Sequence, residues 1–85
     1  MSEKIHEITG VKPEKSHLVL VVDGQAYRVN WSDCSPLLAK ASVQERAYIE
    51  VSPSGYGLHW PLIDEDLAIS PLLDVATPVA VESLR

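Results

Sequence analysis

The pattern of apolar and polar positions predicts an antiparallel hairpin at the centre of a small sheet. After its first residue, segment 17–22 is entirely aliphatic and mostly β-branched, which is typical of a central strand covered on both faces. Asp23 and Gly24 follow directly, and this pair supplies the two positive-φ residues of a type I′ turn. The return strand alternates as far as Trp31, so Tyr27, Val29 and Trp31 are expected to share one face, and Ala26, Arg28 and Asn30 the other.

Three more segments are predicted to be strands. Residues 5–12 favour extended structure, because Gly10 and Pro13 disfavour a helix there. Residues 47–52 alternate between apolar and polar side chains, and residues 56–60 alternate again after a turn. Together with the hairpin, these segments make about five strands.

Short helical segments are predicted from two Ser-Pro pairs and a capping box. Ser35 can cap a helix that begins at Pro36, where the missing N–H leaves no hydrogen bond unmade. Residues 42–45, Ser-Val-Gln-Glu, match a capping box, so a break is expected near residue 41. Residues 70–71 form a second Ser-Pro start of the same kind.

These elements predict a single α+β domain at residues 1–74, with a small antiparallel sheet of about five strands and two short helical segments. A chain of 85 residues has room for only one core. Residues 75–85 are predicted to form a C-terminal tail that either frays or docks on a partner.

The charge distribution argues against nucleic acid as a direct partner. Twelve acidic residues against seven basic ones give a formal charge of −5, and no two basic residues are adjacent. Nucleic-acid binding usually needs a basic face that releases phosphate counterions. An acidic chain is better suited to a basic protein, or to no charged partner at all.

The composition predicts a cytoplasmic protein that does not contact a membrane. Cys34 is the only cysteine, so no internal disulfide can form, and a reducing compartment fits. The longest apolar run, residues 18–22, is far too short to cross a bilayer, and the N-terminal residues lack the apolar core of a signal peptide.

Segment 55–67 carries more chemistry than a small fold requires. Alternation places His59 on the opposite strand face from Leu58 and Trp60, beside Gly57. His59 then either borders a shallow depression with an aromatic rim or is an ordinary structural histidine. Aromatic and acidic residues together are typical of a contact surface. The candidate interaction surface comprises Tyr56, His59, Trp60, Asp64, Glu65 and Asp66.

No catalytic, cofactor or metal site is predicted. The acids at 64–66 are consecutive, so their side chains should diverge in a solvated loop unless that loop curls, and a calcium loop would need alternating ligands and a glycine. Cys34 has no base near it in sequence, and no phosphate loop, dinucleotide fingerprint or nucleophile elbow occurs. We therefore expect the chain not to be an enzyme.

One family resemblance rests on these motifs. Residues 55–61, Gly-Tyr-Gly-Leu-His-Trp-Pro, and 64–67, Asp-Glu-Asp-Leu, are similar to the Gly-Ile-His-Trp-Pro and Asp-Glu-Asp-Leu signature of the bacterial domain-of-unknown-function 2442 family. The hairpin and the helical link after Ser35 also resemble that family, and the likeness covers about residues 5–73. The chain departs from it at Leu37, where members often have an arginine.

The resemblance implies a small α+β fold and a protein partner. Members often lie beside a second family, domain-of-unknown-function 4160, in what looks like a toxin–antitoxin arrangement. Some relatives carry a further DNA-binding module, and none is expected here because the chain ends at Arg85.

The leading hypothesis is a non-enzymatic protein-interaction module, with an antitoxin-like role toward a small toxin-like protein. One alternative is a small-ligand or metal-binding domain using His59, Trp60 and Asp66. Another is a detached regulatory domain that acts only in an oligomer. Convergence of His59, Asp64 and Asp66 in space would favour the ligand or metal alternative.

Overall fold

The computed structural model describes residues 5–80, which form two antiparallel sheets and four short helices. The strands are β1 (Ile8–Pro13), β2 (His17–Val22), β3 (Gln25–Asn30), β4 (Glu50–Val51), β5 (Gly57–Trp60), β6 (Glu65–Ala68) and β7 (Thr77–Val79). The helices are α1 (Trp31–Cys34), α2 (Pro36–Lys40), α3 (Val43–Ala47) and α4 (Ile69–Val75).

The α+β class is confirmed, while the strands divide between two sheets. One sheet has the order β1-β2-β3-β7 and the other β4-β5-β6. The sequence pattern suggested a single sheet of about five strands. Three helices separate β3 from β4; β4, β5 and β6 then pair among themselves, whereas β7 returns to the first sheet beside β3. Among the described residues, no helix is long and apolar enough to span a membrane.

The central hairpin is confirmed. Asp23 has a φ of 52° and Gly24 a φ of 83°, as a type I′ turn requires. β2 lies between β1 and β3, and its side chains at Leu18, Leu20 and Val22 are buried in the core. The first sheet forms one side of the hydrophobic core, and the same core covers the inner face of the second sheet.

The helix starts follow the predicted capping chemistry. The Ser35 hydroxyl accepts a hydrogen bond from the Leu38 amide at 3.1 Å. Ser42 and Glu45 form the reciprocal capping box, with distances of 3.1 and 2.9 Å. Ser70 differs, because α4 begins one residue earlier at Ile69 and its N-cap is Ala68.

Two strand boundaries predicted from alternation were wrong. Trp31 was expected to end the return strand, but the pairing of β3 with β2 stops at Asn30, and Trp31 begins α1. Residues 47–52 were expected to form one strand, but β4 contains only Glu50 and Val51. The capping box at Ser42 extends α3 through Ala47 and leaves few residues for the strand.

Part of the segment assigned to a C-terminal tail belongs to the first sheet. Residues 77–79 form β7, which pairs with β3, and the Gln25 side chain donates to the Val79 carbonyl at 3.0 Å. Pro78 lies within this strand, and a proline is compatible with an edge strand, where one side of the backbone needs no ladder partner. The rest of the predicted tail, residues 81–85, lies outside the described residues.

Two tryptophans occupy the middle of the core. The Trp31 and Trp60 rings pack edge to face, with centroids 6.3 Å apart and an angle of 81° between their planes. Both are buried, and both indole groups donate to backbone carbonyls, Trp31 to Glu14 at 2.9 Å and Trp60 to Arg46 at 3.1 Å. Each ring therefore joins the core to a specific loop or helix.

Arg46 connects this pair to the surrounding backbone. Its guanidinium lies 5.3 Å from the centroid of the Trp31 ring. It donates to the carbonyls of Leu38 at 2.9 Å, Ala39 at 3.0 Å and Lys15 at 3.1 Å. The first two carbonyls lie near the C-terminal end of α2, where the Leu38 carbonyl also accepts a hydrogen bond from the Ala41 amide at 3.3 Å. Arg46 thus adds a charged donor to the end of α2 and connects it to the β1–β2 turn.

Replacing Arg46 by methionine should lower the free energy of unfolding by about 2 kcal/mol or more, because three carbonyls lose their charged donor. Urea unfolding followed by tryptophan fluorescence measures this loss. Arg28→Met is the matched control, since Arg28 is exposed on β3 and its replacement should change stability by no more than about 0.5 kcal/mol. Equal losses in the two variants would contradict the role assigned to Arg46.

A candidate binding surface on the three-stranded sheet

Strand β5 separates the core from the candidate surface. Leu58 is 2% exposed and Trp60 is fully buried, so these alternate residues face the core. Trp60 was expected to belong to the interaction surface. That assignment was wrong, because its ring packs on Trp31 and its indole N–H is used within the domain.

Tyr56 remains available at the surface. It precedes β5, and it is 58% exposed, whereas Leu58 and Trp60 are buried. The core that covers the inward residues of β5 does not extend to Tyr56. Its backbone carbonyl accepts a hydrogen bond from the Ile69 amide at 2.8 Å, which fixes the backbone at the point where α4 begins.

The acidic segment is part of a β-hairpin and not a solvated loop. Asp64 lies in the turn with a φ of 51°, and Glu65 and Asp66 are the first residues of β6. β6 pairs with β5 so that Asp66 lies opposite His59 and Glu65 opposite Trp60. Alternation therefore sends Glu65 to a different face from Asp66.

His59, Asp64 and Asp66 converge, contrary to the expectation that the acidic side chains diverge. His59 Nδ1 lies 2.8 Å from Asp66 Oδ1, and one potential ligand atom from each of the three residues lies within 4.8 Å of the others. The hairpin supplies the curl that brings them together. One imidazole nitrogen and two carboxylates suit a divalent cation such as Zn²⁺. A cation bound through Nδ1 would replace the His59–Asp66 hydrogen bond.

A depression of about 370 Å³ lies beside this cluster. We call it the β5 depression; the lining residues that matter here are Glu50, Val51, Tyr56, Gly57, His59 and Asp66. Gly57 has no side chain to fill it, and a Cβ there would lie 2.5 Å from the Leu67 carbonyl oxygen. Of the two alternatives for His59, the structure has features of both: His59 borders a depression with Tyr56 at its rim, and its Nδ1 is hydrogen-bonded to Asp66 as in a structural histidine.

The β5 depression is acidic and partly apolar. Glu50 and Asp66 line it, and none of the described residues that line it is a lysine or an arginine. Val51 is 42% exposed, so an aliphatic side chain accompanies Tyr56 at the rim. The combination suits a group that carries both an apolar stem and a positive charge.

Sequence reasoning missed Glu50 and Val51. They enter the site because β4 pairs with β5, which places Glu50 opposite His59 and Val51 opposite Leu58. The alternation of residues 47–52 was visible, but the register between the two strands was not. Only the register between β4 and β5 shows that Glu50 lies next to His59.

Cys34 has the properties of a structural thiol. Burial, with a smaller contribution from the negative charge of Asp33, raises the pKa of Cys34 to about 12, while the positive charge of Arg46 opposes the change. The thiol is therefore protonated at neutral pH, which makes it a poor nucleophile.

Comparison with known proteins supports the resemblance suggested by the motifs. The family described as "Protein of unknown function (DUF2442)" matches residues 8–78. That range includes both sheets through Pro78 and the whole β5 depression. No curated protein and no solved structure matches the chain.

Proposed function

Because the chain belongs to the DUF2442 family of unknown function, we propose from its own surface that it is a protein-interaction module for a basic partner. The observation that carries this proposal is the β5 depression, where exposed apolar side chains and carboxylates meet. Binding is the activity that these residues support, since they include no nucleophile with an adjacent base.

Tyr56 and Val51 provide the apolar part of the surface. Tyrosine is enriched among residues that dominate binding energy, because it buries a large area with few rotatable bonds. Tyr56 is 58% exposed and its backbone is held by α4, so little ordering is needed on binding. A partner side chain that covers Tyr56 and Val51 would displace water from both.

The carboxylates provide charge selectivity. Glu50 and Asp66 line the depression, and Asp64 lies beside Asp66 in the same cluster. A lysine or arginine from a partner would place its stem on the apolar rim and its charge near these acids. The formal charge of −5 also favours the approach of a basic protein.

The family resemblance suggests which protein to test first. A small toxin-like neighbour of the domain-of-unknown-function 4160 type would make this chain an antitoxin-like partner. The lone cysteine is in keeping with such a role in the reducing cytoplasm.

Tyr56→Ala should raise the dissociation rate of the purified complex about tenfold or more, because Tyr56 is the aromatic contact. Glu50→Lys should mainly slow association and flatten its salt dependence. The complex is obtained by co-expression with the protein encoded by the neighbouring gene, and both rates are measured by surface binding.

Two variants away from the depression serve as controls. Tyr48 is 52% exposed but does not line the depression, so Tyr48→Ala should leave the dissociation rate unchanged. Asp74→Lys makes the same charge change as Glu50→Lys on the exposed side of α4. Failure of the neighbour to co-purify, or equal effects of Tyr48→Ala and Tyr56→Ala, would contradict the proposal.

A divalent-cation site is the second candidate, and the convergence of His59, Asp64 and Asp66 favours it. If the cluster binds Zn²⁺, the ion should raise the Tm in a saturable manner. A free concentration 100 times the Kd corresponds to about 2.7 kcal/mol of added stability.

Differential scanning fluorimetry with Zn²⁺, Mn²⁺ and Ca²⁺ tests this second candidate. The rise in Tm should disappear in Asp64→Asn, and His17→Ala should retain it, since His17 lies on β2 outside the cluster. A Tm that does not respond to any of the three ions, or a response that survives Asp64→Asn, would remove the cluster from consideration.

A further inference from the structure

A hydrogen-bonded chain of Ser70, His6 and Asp23 lies outside the β5 depression. His6 Nε2 is 3.0 Å from Ser70 Oγ, and His6 Nδ1 is 2.8 Å from Asp23 Oδ2. The three residues come from distant parts of the chain: the segment before β1, the β2–β3 turn and the first turn of α4. None of them lines the depression.

The backbone holds this arrangement in place. Asp23 Oδ1 accepts from the Glu7 amide at 2.8 Å, and the Asp23 amide donates to the Glu7 carbonyl at 2.8 Å. The Ile5 amide donates to the Ser54 carbonyl at 2.8 Å, which fixes the segment on the other side of His6. A Cβ at Gly55 would collide with the His6 carbonyl, so the closeness of the two backbones requires glycine there.

The hydrogen bonds define the direction of proton transfer. The hydrogen bond with His6, and next that from the Glu7 amide, lower the pKa of Asp23, so it is a carboxylate at neutral pH. A carboxylate can only accept, so neutral His6 donates from Nδ1. Nε2 then carries the lone pair that accepts the Ser70 hydroxyl proton.

We propose that Ser70 is a reactive nucleophile in a Ser–His–Asp acyl-transfer site that acts on small carboxylic esters. His6 is the general base, and Asp23 is a positioning residue that fixes its tautomer and orientation. This activity goes beyond the interaction function and uses a different surface. It also departs from the expectation, based on the sequence, that the chain is not an enzyme.

The proposed reaction is balanced with an ester and water as the only reactants. Ser70 Oγ bonds to the ester carbonyl carbon while its proton moves to His6 Nε2. The C–O bond to the alcohol breaks, and the alcohol leaves with that proton. Water then attacks the acyl carbon and gives a proton to Nε2; the acid departs, and Ser70 regains its proton.

Exposure is consistent with these roles. Ser70 is exposed, whereas only 17% of the His6 side chain is. The nucleophile is thus open to substrate and the base is largely shielded from water. An exposed serine on a helix suits a small or extended ester that needs little enclosure.

A second Ser–His pair in the same chain provides an internal control. Ser16 Oγ lies 3.0 Å from His17 Nδ1, which equals the Ser70–His6 distance. Among residues 5–80, no carboxylate is hydrogen-bonded to His17. The two pairs therefore differ in the feature that the proposal needs, a carboxylate that orients the histidine.

The first test is labelling of the full chain with a fluorophosphonate probe, followed by peptide mass mapping. Attack by Ser70 Oγ on phosphorus would expel fluoride and leave a stable adduct. Ser70 should be labelled about 100-fold faster than Ser16, in line with the contribution of a positioned general base. Ser70 labelled no faster than Ser16 would overturn the proposal without the use of any variant.

Variants assign the roles. Ser70→Ala should abolish labelling at this position and hydrolysis of p-nitrophenyl acetate, and His6→Gln, which keeps a hydrogen-bonding side chain, should reduce hydrolysis about 100-fold or more. Asp23→Asn preserves the turn, since Asn-Gly also favours type I′. It should lower kcat with little change in KM because it alters the tautomer of His6.

The Tm of each variant, measured in parallel, distinguishes a role of His6 and Asp23 in the reaction from a purely structural role. A folded Asp23→Asn or His6→Gln variant that is labelled and hydrolyses ester at the wild-type rate would overturn the proposal. Because neither residue belongs to the β5 depression, partner binding should survive in both variants. Failure of this proposal is therefore distinguishable from failure of the interaction function.

Discussion

The contact between Arg46 and the two tryptophans is the constraint on which the rest of the fold depends. Arg46 reaches the β1–β2 turn through Lys15, the end of α2 through Leu38 and Ala39, and the ring of Trp31. Its own carbonyl accepts the indole proton of Trp60 on β5. Among residues 5–80 it forms no salt bridge, so carbonyl dipoles and an aromatic face balance its charge. One residue thus ties the two sheets to the helices between them.

This constraint also determines what the second sheet presents to solvent. With Trp60 held inward, alternation along β5 places Gly57 and His59 on the other face. Pairing with β4 and β6 then brings Glu50 and Asp66 beside His59. The acidic depression is therefore a consequence of how Trp60 packs. Residues of the candidate surface and residues of the core alternate within the four-residue strand β5, so a substitution in β5 can affect both binding and stability.

Features that depend on local chemistry were predicted well from the sequence. The Asp23–Gly24 turn, the Ser35 cap and the Ser42 capping box each require only neighbouring residues, and each was confirmed. Features that depend on register were not predictable. The burial of Trp60 follows from a partner on α1, and the position of Glu50 follows from strand pairing. The approach of His6 to Ser70 joins residues 64 positions apart, which no local pattern indicates.

Hydrogen exchange of the two indole N–H groups, followed by NMR, tests the central claim most directly. If Arg46 and the tryptophans form one cooperative unit, both indole protons should exchange only through global unfolding. Each should then be protected by about 1,000-fold or more, with equal opening free energies that match the stability from urea unfolding. A Trp60 indole proton that exchanges as fast as that of free tryptophan, while Trp31 stays protected, would show that Arg46 does not couple the sheets.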